Sequence, residues 1–281
     1  MRCTTLIDTE TVDAHLRDPA IAVVDCRYDL RGESWGEREY VGQHIPGAVY
    51  ASLDRDLSGA KTGQNGRHPL PDPARLARTF GLLGITEGIQ VVAYDQDSGM
   101  FASRLWWLMR WLGHDRVAAV EGGFAKWLAE GRAVRSGIET RTLGEFQGAP
   151  RDGWVVNAGE VGRLIGRRDW RLLDARAPER YRGETEPLDK VAGHIPSAAN
   201  HFFKWNLGED GVFRSAEALG ARLRESIGGV SPDRVVCYCG SGVTACHNLL
   251  ALEHAGLPGA KLYPGSWSEW SSDPTRPIEC G

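Results

Sequence analysis

His44-Ile45-Pro46-Gly47-Ala48 and His194-Ile195-Pro196-Ser197-Ala198 are two versions of one pentapeptide, and the segments around them repeat as well. Upstream, Val23-Val24-Asp25-Cys26-Arg27 corresponds to Leu172-Leu173-Asp174-Ala175-Arg176. Downstream, Val91-Val92-Ala93-Tyr94-Asp95 corresponds to Val235-Val236-Cys237-Tyr238-Cys239. Further on, Gly122-Gly123-Phe124-Ala125-Lys126-Trp127 pairs with Pro264-Gly265-Ser266-Trp267-Ser268-Glu269-Trp270. Ordered matches with a slowly drifting offset mark a duplicated domain, not a solenoid. Between the copies, Arg135 to Gly153 is rich in Gly, Thr and Arg and poor in apolar periodicity, so it reads as a linker. The expected division is residues 1–134, a linker 135–153, and residues 154–281.

Each copy alternates short apolar runs with amphipathic stretches, which predicts an α/β unit with a mostly parallel sheet flanked by helices. Asp72-Pro73 supplies an N-cap and a first-turn proline, after which Leu76, Phe80 and Leu83 recur at helical spacing. Ser215 caps the matching helix, with Leu219, Leu223 and Ile227 behind it. Val235-Val236-Cys237-Tyr238 reads as a buried parallel strand, although periodicity alone does not separate so short a run from helix. A further helix is expected to start within Val243 to His247 and to run to His254.

Composition bounds the function. The 281 residues are 25% charged and 42% hydrophobic, include 10 Trp and carry a formal net charge of −4, enough for one large or two small packed domains. There is no basic patch or tail suited to nucleic acid. No apolar run reaches the ~18 residues of a membrane span, and the start of the chain lacks the apolar core of a signal peptide. The six cysteines, Cys3, Cys26, Cys237, Cys239, Cys246 and Cys280, are irregularly spaced, so no disulfide framework is expected and a reducing cytoplasm is the natural compartment.

The copies differ most where the matching strand ends. The first reads Asp95-Gln96-Asp97-Ser98-Gly99, the second Cys239-Gly240-Ser241-Gly242-Val243-Thr244. Ligands gather at the carboxyl ends of strands in open α/β sheets. A cysteine there, followed by glycines and a helix start, sits where backbone N–H groups and the helix dipole stabilise a thiolate or a bound anion. Gly240 and Gly242 let the loop curl without Cβ clashes. A carboxylate is no soft nucleophile, so the chemistry is expected in the second copy.

The competing readings have specific tests. Cys239 as one more buried small residue accords with the usual fate of cysteine, but strand-end position and flanking glycines favour a nucleophile. Zinc on Cys237, Cys239, Cys246 and His247 lacks the paired-cysteine spacing of a structural site. A cysteine phosphatase needs an arginine beyond the loop to clamp phosphate, and this chain has Ala245 there. Cys237 is expected in the sheet; Cys246 reads as a helix residue or, less simply, as a resolving thiol.

With these residues in view, the chain resembles the two-domain rhodaneses over nearly its whole length. The loop Cys239 to Thr244 is similar to the active loop of the 3-mercaptopyruvate sulfurtransferases within that family, whereas thiosulfate-using rhodaneses typically carry basic side chains there. The resemblance implies α/β; two tandem rhodanese-like domains, each a mostly parallel sheet flanked by helices. It also implies a ping-pong sulfur transfer through a Cys239 persulfide. By the same resemblance Ser241, His68 and Asp54 form a proton relay. Arg180, in Arg180-Tyr181-Arg182-Gly183, would bind the donor's anionic group, and Gly240, Gly242, Val243 and Thr244 would line the donor site. Arg182 reads either as a second donor contact or as a surface charge. One family feature is missing: the arginine that usually follows a Glu-Pro element is absent from Glu186-Pro187-Leu188-Asp189-Lys190, and Lys190 is no equivalent fork.

The expected donor is 3-mercaptopyruvate, with thiosulfate the nearest alternative. The expected acceptor is cyanide, a small thiol or a thioredoxin-like protein. A persulfide-carrier protein serving a partner enzyme is the reading from another class. No metal or organic cofactor, no nucleic acid and no membrane is called for. His44 and His194 read as structural, and Trp106, Trp107 and Trp111 as packing. Trp267 and Trp270 read either as cleft wall or as core.

Overall fold

The computed structural model describes residues 2–30, 32 and 34–281. The chain divides into two compact units, one comprising Met1–Gly59, Pro71–Arg151 and Glu209–Val212, the other Ala60–Leu70, Asp152–Gly208 and Phe213–Gly281. Residues 60–70 thus leave the first half of the sequence and pack with the second.

The first unit holds strands β1 (Leu6–Ile7), β2 (Ile21–Asp25), β3 (Val49–Tyr50), β4 (Gln90–Tyr94) and β5 (Val117–Val120). All pair in parallel, in the order β1-β5-β4-β2-β3. Helices α1 (Thr9–His15), α2 (Trp35–Gly42), α3 (Pro73–Leu82), α4 (Ala102–Trp111) and α5 (Gly123–Ala129) accompany it. Strands β2 and β4 are buried at every position, as expected of central strands covered on both faces. Asp72 accepts from Arg75 N–H as the α3 cap, and Leu76 and Phe80 reach the core.

The second unit repeats the plan with β6 (Arg171–Asp174), β7 (Ala199–Asn200), β8 (Val235–Tyr238) and β9 (Lys261–Leu262). These are also parallel, in the order β7-β6-β8-β9. The counterpart of β1 has shrunk to a single bridge between Val155 and Leu262. Its helices are α6 (Ala158–Leu164), α7 (Pro178–Tyr181), α8 (Ala216–Ile227), α9 (Thr244–His254) and α10 (Ser266–Trp270). Ser215 caps α8, and α9 begins inside the expected window.

The strand register preserves the repeat: Asp25 lies opposite Tyr94, and Asp174 opposite Tyr238. Each aspartate holds an arginine two residues on through that arginine's Nε and Nη2, Arg27 in one unit and Arg176 in the other. Each arginine then donates to the carbonyl just before the repeated pentapeptide, Gln43 or Gly193. His44 Nδ1 bonds Tyr40 O at 2.7 Å and His194 Nδ1 bonds Tyr181 O at 2.7 Å. The two histidines therefore anchor turns. Trp106, Trp107 and Trp111 are buried on α4, and Trp267 and Trp270 belong to the second core. No helix of the described residues is long and apolar enough to cross a membrane.

Candidate active site

Cys239 follows β8 directly, at the carboxyl end of a strand flanked by β6 and β9, and is only 2% exposed. Gly242 N–H donates to its Sγ at 3.1 Å. Gly242 holds φ at +77°, and a Cβ added there would lie 2.5 Å from Pro264 O. Only glycine meets both demands. Val243 then opens α9 without a side-chain cap, so the orphan N–H groups of the first turn, Thr244 among them, lie next to the loop.

The segment at α10 fastens this loop. Trp267 N–H donates to Cys239 O and Ser268 N–H to Gly240 O, each at 2.9 Å. Cys239 N–H donates to Ser266 Oγ at 3.1 Å, and that hydroxyl donates to Tyr263 O at 2.9 Å. In the first unit, Phe124 N–H donates to Asp95 O and Ala125 N–H to Gln96 O, each at 2.8 Å. The framework was therefore duplicated with the strand. Asp95, standing where Cys239 stands, accepts from the N–H groups of Gly99 (2.9 Å), Phe101 (2.6 Å) and Ala102 (3.1 Å). The strand end thus gathers backbone donors around an anion. Burial nevertheless outweighs those bonds and holds the Asp95 carboxyl above the usual range.

Segment 60–70 completes the site within the second unit. His68 Nδ1 and Ser241 Oγ share a 2.8 Å hydrogen bond, with both residues buried. Arg67 N–H donates to Ser268 Oγ at 3.1 Å, and its guanidinium pairs with Asp189 through Nη1. A Cβ on Gly240 would meet Arg67 Nη2 at 2.8 Å and Arg180 Nη2 at 3.5 Å, so both guanidinium groups border the residue after Cys239. Arg180 holds Glu186 through Nε (3.2 Å) and Nη2 (2.6 Å).

The other expected residues are placed as follows. Arg182 pairs with Glu184 at 2.7 Å, its side chain 43% exposed. Asp54 belongs to the first unit, where it accepts from the Tyr28 hydroxyl. Cys237 lies within β8, and burial pushes its thiol well up, away from nucleophilic use. Cys246 is buried in α9 and donates to Gly242 O at 3.3 Å. Arg67, Asp189 and Ser266 escaped the sequence reading; the flag available for Arg67 was its place beside His68.

Comparison with known proteins accords with this architecture. The model of the rhodanese-like domain matches residues 8–130 and again 157–273. A probable 3-mercaptopyruvate sulfurtransferase of Pseudomonas aeruginosa is 48% identical over 278 residues, covering 98% of each chain. A putative thiosulfate sulfurtransferase of Mycobacterium tuberculosis is 40% identical over 268 residues, covering 94% of this chain and 92% of its own. The crystal structure of a 3-mercaptopyruvate sulfotransferase from Escherichia coli superposes with a TM-score of 0.82 at 31% identity, over 94% of this chain and 99% of that one. The chain belongs to the rhodanese-like family, with two copies of the domain, and is an enzyme of the sulfurtransferase class.

Proposed function

We propose that the chain moves a sulfane sulfur from 3-mercaptopyruvate to a thiophilic acceptor through a persulfide on Cys239. The observation that carries this reading is the hydrogen bond between His68 and Ser241, next to the cysteine loop. In the first half-reaction the Cys239 thiolate attacks the donor sulfur and an S–S bond forms. The C–S bond breaks, and its electron pair leaves as the enolate of pyruvate. The methylene carbon then needs a proton, which Ser241 supplies and His68 replenishes. In the second half-reaction cyanide, a small thiol or a thioredoxin-like protein attacks the outer sulfur, and the S–S electron pair returns to Cys239. Both steps are redox-neutral.

Thiosulfate is the second reading, favoured by the missing arginine after Glu186-Pro187. Its S–S bond breaks to release sulfite, which needs no proton on carbon, so the Ser241–His68 pair would be idle. Asp54 as third member of the relay, and Arg182 as a donor contact, rest on the family resemblance. The cytoplasm suits the reading, because the six cysteines are all free and a reducing compartment keeps thiols in that state. The test is kcat/KM for 3-mercaptopyruvate and thiosulfate side by side, with cyanide as acceptor. Preference for mercaptopyruvate supports the proposal, preference for thiosulfate replaces the donor, and negligible rates with both favour a carrier protein.

A further inference from the structure

Several arginines in this chain hold carboxylates through one particular edge, whereas Arg151 takes Asp115 through Nη1 and Nη2. Arg27 takes Asp25, Arg176 takes Asp174 and Arg180 takes Glu186, each through Nε and Nη2 together. That edge presents two parallel N–H groups matched to the two carboxylate oxygens. At Arg180 it is therefore already filled by Glu186, and the residue enters the site with its fork engaged.

Arg67 has the opposite arrangement. Its contact with Asp189 is made by Nη1, on the far side of the guanidinium. Nε is buried and meets no acceptor among the described residues. Nη2 borders Gly240, next to Cys239. A buried donor without a partner carries a desolvation penalty that a bound acceptor would remove. A cavity of about 500 Å³ opens at Arg67 and Asp189, with Lys61 and Lys190 also on its wall, so cationic side chains outnumber the carboxylate there.

We propose that Arg67 is the specificity-determining residue that takes the donor's carboxylate, through its open Nε–Nη2 edge, while Arg180 contributes charge from across Gly240. Asp189 serves as the counter-ion that neutralises Arg67 at rest, through Nη1. The proposal depends on the sulfur-transfer reading only for the identity of the anion.

The experiment is calorimetric titration with pyruvate, the carboxylate product, alongside donor kinetics for wild type, Arg67→Ala, Arg67→Lys and Asp189→Asn. Pyruvate binding requires no turnover. A wild type that binds pyruvate but never gains sulfur from 3-mercaptopyruvate would therefore sink the function reading and leave the Arg67 measurement intact. Arg67→Ala is expected to weaken pyruvate, and to raise the mercaptopyruvate KM, by about tenfold to a hundredfold, with a smaller change in kcat. Arg67→Lys, with charge but no fork, should recover only part of the loss. Asp189→Asn, which keeps the shape and removes the charge that neutralises Arg67, should tighten pyruvate. Unchanged pyruvate affinity in Arg67→Ala, or weaker binding in Asp189→Asn with the fold intact by circular dichroism, overturns the proposal.

Discussion

Ser266 adopts in the second unit the left-handed backbone that Gly123 adopts in the first, with φ of 54° against 56°. For a residue with a Cβ this conformation costs about 1–2 kcal/mol. What the second copy gains is a hydroxyl that accepts from Cys239 N–H and donates to Tyr263 O. Ser266→Gly, which restores the first copy's residue, should relieve strain and lose hydrogen bonding in similar amounts, leaving Tm nearly unchanged while kcat falls. Ser266→Ala keeps the strain and loses the hydroxyl, so it should lower both. Wild-type kcat in the glycine variant would remove Ser266 from any part in positioning the loop.

The Ser241–His68 pair is expected to matter for one donor and not the other. Ser241→Ala and His68→Ala should each lower the mercaptopyruvate rate by about a hundredfold to ten-thousandfold, the usual worth of positioned proton transfer. Thiosulfate turnover should change far less. Because both act on one proton, the double variant should be little worse than either single one. Additive losses, or equal losses with both donors, would argue against a shared relay.

Cys239→Ser should abolish the mass gain of one sulfur atom seen after incubation with donor, whereas Cys246→Ala should retain it. A persulfide on Cys239→Ser protein would place the carrier elsewhere.

Gly242→Ala combines an unfavourable φ with a Cβ 2.5 Å from Pro264 O. The left-handed backbone alone should cost about 1–2 kcal/mol, seen as a lower urea midpoint, and turnover should drop further because Sγ loses its donor geometry. An alanine variant of full activity and stability would contradict the tight loop described here.

His201 ties acid stability to the second unit. It is fully buried, with Nδ1 facing Ser226 Oγ at 2.7 Å and Nε2 facing Asn206 Oδ1 at 3.0 Å. Burial lowers its pKa, a shift only partly offset by the Asn206 bond. The unfolded chain therefore takes up a proton near pH 6.5 that the folded chain refuses. Its stabilising contribution is present above about pH 6.5 and is lost as pH falls below it. Urea midpoints across pH 5–7.5 should fall more steeply for wild type than for His201→Gln; parallel curves would clear His201.

Much of the fold was legible because duplication preserved local pattern. The pentapeptides, the Asp-x-Arg pairs and the tyrosines that end β4 and β8 recur because each unit uses them for the same internal bonds. The candidate site stood out by contrast, since Cys239 and Asp95 differ at one shared strand end. Arg67 and Asp189 were not, because their pairing joins residues 122 positions apart and neither sits in a repeated motif. Ser266 reads as an ordinary serine until its φ is seen. Nor did the apolar pattern foretell that residues 60–70 pack with the second unit, because that depends on close fits such as Gly66 beside Gly265, where a Cβ would lie 2.8 Å from a carbonyl oxygen.

That excursion of residues 60–70 has an evolutionary consequence. After a gene doubles, the copy that loses its nucleophile is ordinarily free to decay or be deleted. Here the half with Asp95 at its strand end encodes Arg67 and His68, which fold into the other half's unit. Trimming it away would remove Ser241's partner and an arginine from the unit that carries Cys239 in the same stroke. On the proposed mechanism, selection on one half's chemistry also preserves this stretch of the other half's sequence.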